Sequence, residues 1–257
     1  MHEHVHPTAT IGKNVHLGDG VRIDSGAIIH DNVHIGDNTH VGAQCILGEP
    51  LSDYYGNTKG YTNPPLRIGS RSIIRSGTII YADNVIGDDF ECGHRVTIRE
   101  RAAIAYHVRI GTLSDIQGHC TIGRYTRFHS NVHIGQGSDV GEFVWIFPYV
   151  VLTNDPHPPS NHLMGVTVDS YAVIATMSVL LPGVRVGSHA LVGACSLVRK
   201  NVAAEDVVTG NPAERVCSIH DVKSKADGGK VYPWPENFSR GMPWESSPSY
   251  SDWLANR

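Results

Sequence analysis

An apolar residue recurs at every sixth position along most of this chain. The series opens Ile11, Leu17, Ile23, Ile29, Ile35, Val41, Leu47. It resumes at Ile68 and runs unbroken through Ile74, Ile80, Ile86, Cys92, Ile98 and their successors to Leu152. A third block holds Val168, Ile174, Leu180, Val186, Val192 and Val198. Twenty-eight positions keep the rhythm and none is polar. A period of six is neither helical nor simple strand alternation. Two residues before the key position the side chain is usually small, as at Ala27, Ser72, Ser114, Ser138 and Ser178, and glycine often follows it, as at Gly12, Gly18, Gly93, Gly111 and Gly193. Each hexad therefore predicts a short strand and a corner. The large and small residues point inward, and glycine relieves backbone crowding at the turn. Such units cannot bury an apolar face alone, so they must stack.

These repeats resemble those of the hexapeptide-repeat acyltransferases over roughly residues 8–213. The resemblance implies an all-β chain, a left-handed parallel β-helix with three hexads in each triangular coil. Twenty-eight hexads then give about nine coils, a prism on the order of 45 Å long at an inter-strand spacing of about 4.8 Å.

The rhythm breaks twice. Fifteen residues are inserted between Leu47 and Ile68, and ten between Leu152 and Val168. Insertions in a solenoid become protruding loops, and long loops are often functional. The expected organisation is a β-helix domain over 1–213, with insert loops at 48–67 and 153–167, and an irregular Pro- and aromatic-rich tail over 214–257. The tail carries Tyr232-Pro233-Trp234-Pro235, Trp244 and Trp253. Its aromatics should pack on the prism or on a neighbouring copy, its proline density argues against a helical domain, and its end after Ser246 should be flexible.

The formal net charge is −4 and no basic stripe is present, which argues against nucleic acid. The longest apolar stretch, Phe143 to Leu152, is broken by Pro148 and too short to span a bilayer. Met1-His2-Glu3-His4 lacks the regions of a secretory signal. A cytoplasmic protein without membrane attachment is expected. Cys45, Cys92 and Cys120 fall on inward or small-residue slots and read as buried thiols.

Sixteen histidines invite a metal reading, because the γ-class carbonic anhydrases bind zinc on this fold with three histidines. Stacked positions differ by 18 or 36. His129 and His133 map back by 36 onto Gly93 and Thr97, and His94 maps forward onto Ser130. No three-histidine column results, and no metal is expected.

The same ruler places Gln136 and Asn154 one above the other, with Asp155 at the mouth of the second loop. Below Gln136 the column runs through Gly118 to Glu100. A second column reads Arg75, Gly93, Gly111, His129, Phe147, where the glycines predict a notch between Arg75 and His129. Tyr81, Arg99 and Gln117 form a third beside Glu100. Polar side chains ringing a glycine-lined groove suit a sugar.

Asn131-Val132-His133-Ile134-Gly135-Gln136, Val144 to Pro156, Gly111 to Gly118 and Arg240-Gly241-Met242-Pro243-Trp244-Glu245 are similar to the nucleotide-sugar N-acetyltransferases. That resemblance implies acetyl-CoA as co-substrate, a dTDP-linked amino-deoxy sugar as acceptor, a role in polysaccharide biosynthesis, and a homotrimer with sites between adjacent prisms. It implies Asp155, Gln136 and His129 as catalytic candidates. Asn154 is a substrate contact, and columns suggest Tyr55, Arg75, Tyr81, Arg99 and Glu100 beside it. Pantetheine would pass Ala175, Thr176, Gly193 and Ala194, and the adenine end would approach Arg199, Lys200, Asn211 and Pro212. Asp155, with an ordinary pKa near 4, suits orientation of the amine better than proton removal. Two alternatives stay open: an O-acyltransferase with His129 or His133 as base, and a non-enzymatic trimeric scaffold.

Overall fold

The computed structural model describes residues 4–256, so Met1, His2 and Glu3 of the N-terminal segment lie outside the described residues. Strands of two to five residues lie in three sheets of ten, nine and eleven strands. Face one begins at Thr10–Ile11, face two at His16–Leu17 and face three at Arg22–Ile23. The chain visits the faces in turn, and as far as Leu197–Val198 each strand pairs in parallel with the one three strands before it. Outside the inserts the register is 18 residues: Ile98 faces Ile116, and Ile116 faces Ile134. The molecule is a parallel β-solenoid with almost no helix.

The hexads alone undercount the stack. About nine coils were expected, but face three reaches eleven strands. Asp206–Thr209 extends it in parallel from Leu191–Val192 outside the hexad rhythm, and Glu214–Ser218 returns antiparallel. The division expected between 213 and 214 falls inside this pair.

From Ile23 onward the key residues are buried, and the small residues two before them are buried as well. Their hydroxyls tie successive coils. Ser114 Oγ donates to the His129 carbonyl at 3.1 Å and accepts the Val132 amide at 3.2 Å. Thr126 does the same with Gly141 and Val144, at 2.7 and 3.1 Å. The ladder satisfies backbone groups that the corners would otherwise leave unpaired inside the prism.

Corner strain sits three residues after the key position. Asn14, Asn32, Asp89, His107, Tyr125, Asn131 and Met177 there all have φ near +60°. The glycine directly after the key position has a different reason. A Cβ on Gly36 would stand 2.5 Å from the Ser70 amide of the next coil. Coils approach so closely there that no side chain fits between them.

The described tail packs back on the prism. Trp234, Met242 and Trp244 are buried with Phe143 and Val173 against face three. Trp234 Nε1 donates to the Tyr171 carbonyl at 3.0 Å. The flexible end expected after Ser246 is instead a short helix, Tyr250–Ala255, capped by Ser249, which accepts the Asp252 amide at 3.0 Å. Trp253 lies 5.3 Å from Trp244. Aromatic burial fixes a segment whose composition alone reads as loose.

Candidate functional site

Both inserted loops leave the solenoid at the same corner, between faces one and two. The first follows Ile46–Glu49 and the second follows Val151–Leu152. Four face-one strands lie between them, so the loops stand about 24 Å apart at 4.8 Å per strand. The polar stretch of that corner between them is the candidate substrate groove.

The first loop holds the short helix Asp53–Gly56. It is pinned by Asn63, whose Nδ2 donates to the Gly48 carbonyl at 2.7 Å and whose Oδ1 accepts Tyr61 OH at 2.9 Å. Tyr55 OH donates to Glu49 at 3.2 Å, and Glu49 pairs with Tyr81 across the sheet. The Arg99 guanidinium lies 5.3 Å from the Tyr81 ring centroid. It grips Glu100 with two hydrogen bonds of 2.9 Å. Burial pushes the Glu100 carboxyl up, but the bonds from Arg99 outweigh it and leave it below the ordinary value. Four of the expected substrate residues, Tyr55, Tyr81, Arg99 and Glu100, are thus connected at one end of the groove.

One coil on, Asp115 accepts Gln117 Nε2 at 2.6 Å and faces His133 Nδ1 at 3.1 Å. Burial raises the Asp115 carboxyl, and the bonds from His133 and Gln117 more than reverse this. Next come Gln136 and Asn154. Their strands pair with Ile134 opposite Leu152, which puts the two side chains on adjacent levels of one corner. Neither side chain has a hydrogen-bond partner among the described residues, so both are free to bind.

Asp155 is engaged within its own loop. Its Oδ1 accepts Ser160 Oγ at 2.7 Å and the His157 amide at 3.1 Å, and its Oδ2 accepts the Ser160 amide at 3.0 Å. The Ser160 bonds hold its carboxyl below the ordinary value. In this arrangement Asp155 shapes the loop and is a poor proton acceptor.

Other expected residues lie elsewhere. Arg75 and His129 belong to the corner between faces three and one. Arg75 pairs with Glu91 at 3.0 Å, away from the groove. The glycines of the column between it and His129 do not themselves open a notch, although a cavity of about 320 Å³ lies beside them on this corner, lined by Ser76, His94, Arg95 and Thr112. A Cβ on Gly93 would run into the Thr112 backbone, and one on Gly111 into the His129 carbonyl group. Those glycines mark close contact between coils rather than space for a ligand. His129 stacks on Phe147 at 4.5 Å, and burial lowers its pKa. Ala175, Thr176, Gly193 and Ala194 line the same corner further along. Arg199 and Lys200 are exposed on the corner of the two loops, and Asn211 and Pro212 in the turn before Glu214–Ser218.

A second concave region went unread in the sequence. Between face three and the tail lies a cavity of about 450 Å³, lined by Arg109, Arg127, Trp145 and His129 from the coils and by Phe238, Arg240 and Glu245 from the tail. Arg127 is buried and stacks 5.5 Å from the Trp145 centroid. Its Nη2 donates to the Gly241 carbonyl at 2.5 Å, and its Nε has no partner. Burial pushes its pKa down to about 10. Arg109, Arg127 and Trp145 occupy the same outward slot on three successive coils, and that repetition was the available signal. Among the described residues no group of three His, Cys, Asp or Glu is placed to hold a metal ion, and no helix is long and apolar enough to cross a membrane.

Residues 14–49 match the family model for the bacterial transferase hexapeptide (six repeats). The chain is 29% identical over 138 residues to the bifunctional protein GlmU of Heliobacterium modesticaldum, covering 54% of this chain and 29% of that protein. It is 26% identical over 156 residues to the acyl-[acyl-carrier-protein]--UDP-N-acetylglucosamine O-acyltransferase of Pseudomonas aeruginosa, covering 60% and 45%. With the galactoside O-acetyltransferase of Escherichia coli it shares 27% identity over 119 residues, covering 38% and 59%. The matches thus span less than half the length of the first two relatives. The crystal structure of the polySia specific acetyltransferase NeuO superposes with a TM-score of 0.45 at 17% identity, covering 95% of this chain and 98% of that one.

Proposed function

We propose that this chain is an acetyl-CoA-dependent N-acetyltransferase, with the amino group of a dTDP-linked amino-deoxy sugar such as dTDP-3-amino-3,6-dideoxyglucose as acceptor. It works as a homotrimer of left-handed β-helices in the cytoplasm. Acyl- and acetyltransfer by the relatives supports the reaction class. The observation that carries the choice of nitrogen is the state of Asp155. Its three hydrogen bonds from Ser160 and His157 leave the carboxylate of the second loop a poor base for a hydroxyl. A neutral amine needs no strong base to attack a thioester, whereas an alcohol does.

The amine nitrogen adds to the thioester carbonyl carbon, the carbon–sulfur bond breaks, and the amine proton passes to the departing thiolate. Gln136 and Asn154 hold the sugar or the thioester oxygen as neutral hydrogen-bonding groups. Asp155 sets the loop that presents Asn154. His129, from another corner, completes the site of the neighbouring subunit. The pantetheine arm runs past Ala175, Thr176, Gly193 and Ala194, with Arg199, Lys200, Asn211 and Pro212 beyond. No metal takes part.

One observation favours O-acylation as a second reading. His133 is oriented through Nδ1 by Asp115, and its Nε2 has no partner among the described residues. A histidine held by a carboxylate can serve as general base to a hydroxyl. The test is a panel of dTDP- and UDP-amino sugars with acetyl-CoA, followed by free-thiol release and treatment of the product with hydroxylamine. A product that resists hydroxylamine is the amide expected. A cleaved product is an ester and selects the second reading. Thiol release with none of the amino sugars removes the first.

A further inference from the structure

The cavity between face three and the tail has a second chamber. An apolar slot of about 200 Å³ is lined by Trp145, Phe147, Val173, Tyr232, Trp234 and Phe238. Trp145 and Phe238 line the cationic cavity as well, so the two chambers share a wall. Ring contacts close the wall: Trp145 meets Phe238 edge-on at 5.4 Å and Trp234 at 5.9 Å.

The cationic chamber is short of anions. Arg109 is paired with Glu91 at 3.1 Å. Arg240 lies 5.9 Å from the Phe238 centroid, and neither it nor Arg127 has a carboxylate within salt-bridge distance among the described residues. Glu245 is the one acidic side chain in the lining, and it accepts the Gly241 amide at 2.7 Å. Arg127 is 8% exposed with an orphaned Nε. A buried guanidinium without a counter-ion is costly in the free protein. Phosphate is the group whose oxygens match such a fork.

We propose that these adjoining chambers bind a nucleoside diphosphate, its phosphates on Arg127, Arg109 and Arg240 and its base in the apolar slot, against Phe147, Tyr232 and Trp234. The diphosphate can belong to the nucleotide sugar or to the adenosine end of CoA. The inference rests on the proposed acyl transfer only for the identity of that carrier. It moves the nucleotide sugar's diphosphate from the corner of Tyr81 and Arg99, or in the second case the adenosine end of CoA from Arg199 and Lys200, to face three on the opposite side of the prism. It also gives the tail a task, because the tail supplies Phe238, Arg240 and two walls of the slot.

The experiment is calorimetry and thermal unfolding of the full chain with pyrophosphate, dTDP, thymidine, ADP and CoA, in wild type, Arg127→Met and Trp145→Leu. Wild type should bind dTDP and be stabilised by it. Arg127→Met should weaken dTDP and pyrophosphate by about tenfold or more, while its unliganded melting temperature holds or rises. Trp145→Leu should weaken dTDP while sparing pyrophosphate. If CoA and ADP, but not dTDP, show the Arg127 dependence, the site stands and holds the coenzyme. If Arg127→Met does not fold, Arg240→Gln on the tail surface takes its place, with a severalfold loss expected. Nucleotide binding unchanged in folded Arg127→Met and Arg240→Gln, or no diphosphate binding by wild type, overturns the inference. Arg127-dependent binding without acyl transfer to any nucleotide amino sugar would refute the proposed reaction and leave the site intact. Acyl transfer with unchanged KM for both substrates in Arg127→Met would do the reverse.

Discussion

Ser160 donates to Asp155 twice, through its hydroxyl at 2.7 Å and its amide at 3.0 Å. The carboxylate therefore sets the path of the second loop, and Asn154 immediately before it takes its position from that path. Asp155→Asn keeps the volume but replaces one of the two accepting oxygens by an NH2 donor, which loosens the loop. Turnover with the amino sugar should fall by about 10- to 100-fold, in the range of an orienting group. Ser160→Ala should reproduce part of that loss without touching the carboxylate. Steady-state kinetics of both variants separates the roles. If Ser160→Ala is silent while Asp155→Asn is crippled, the loss lies with the carboxylate and not with the Ser160 hydroxyl.

Gly111 lies against the His129 carbonyl group of the next coil, and a Cβ there would collide with backbone. Gly111→Ala should destabilise the fold by about 2 kcal/mol or more, the range of overpacking. Gly56 has nothing within 4 Å of its Cβ position, so Gly56→Ala should stay within about 0.5 kcal/mol as a surface change. Urea midpoints at equal m-value test the pair.

The six-residue rhythm made the strands, the inward residues and the two loops legible, because each key side chain has one place to go in a stacked coil. Three things were not legible. The left-handed corner residues include His107, Leu113, Phe143 and Met177, types that carry no turn signal of their own. Tertiary stacking imposes the conformation. The last two strands of face three lie outside the hexads, since Asp206–Thr209 pairs without keeping the period and Glu214–Ser218 returns antiparallel. Arg127 occupies an outward slot and reads as a surface residue. It is buried by a tail whose aromatics have no periodicity to announce where they dock. The groove of the first corner was half legible: columns correctly joined Tyr81, Arg99 and Glu100, but treated glycines as space when the next coil fills it.

His129 and His189 are both pushed below the ordinary histidine pKa of 6.5 by burial. In the unfolded chain each takes a proton near pH 6.5, while in the fold each stays neutral to lower pH. Between those values the unfolded state binds more protons, so stability falls as pH drops below about 6.5. The melting temperature should decline from pH 7.5 to 5.5. His129→Phe, which can keep the stack on Phe147, should flatten that decline in part, with His189 and His34, also held below the ordinary value, contributing to what remains. A slope identical to wild type would mean that His129 titrates normally.

Gln136 and His129 stand on different corners of the prism, seven residues apart, and do not converge within one chain. In a three-fold ring one corner of each prism faces a different corner of the next. If the two residues serve one site, they do so from neighbouring chains. Gln136→Ala and His129→Ala should each abolish most activity while leaving the trimer intact by sedimentation. Mixed under conditions that exchange subunits, the two variants should regain activity. A cleft works when its His129 comes from a Gln136→Ala chain and its Gln136 from a His129→Ala chain. With random exchange at equal amounts that is about one cleft in four of a closed ring, so recovery should approach about a quarter of wild type. Native mass spectrometry of the mixed trimers verifies exchange. Verified exchange without recovery would mean that the residues act within one chain or in separate sites, and the shared cleft would have to be abandoned.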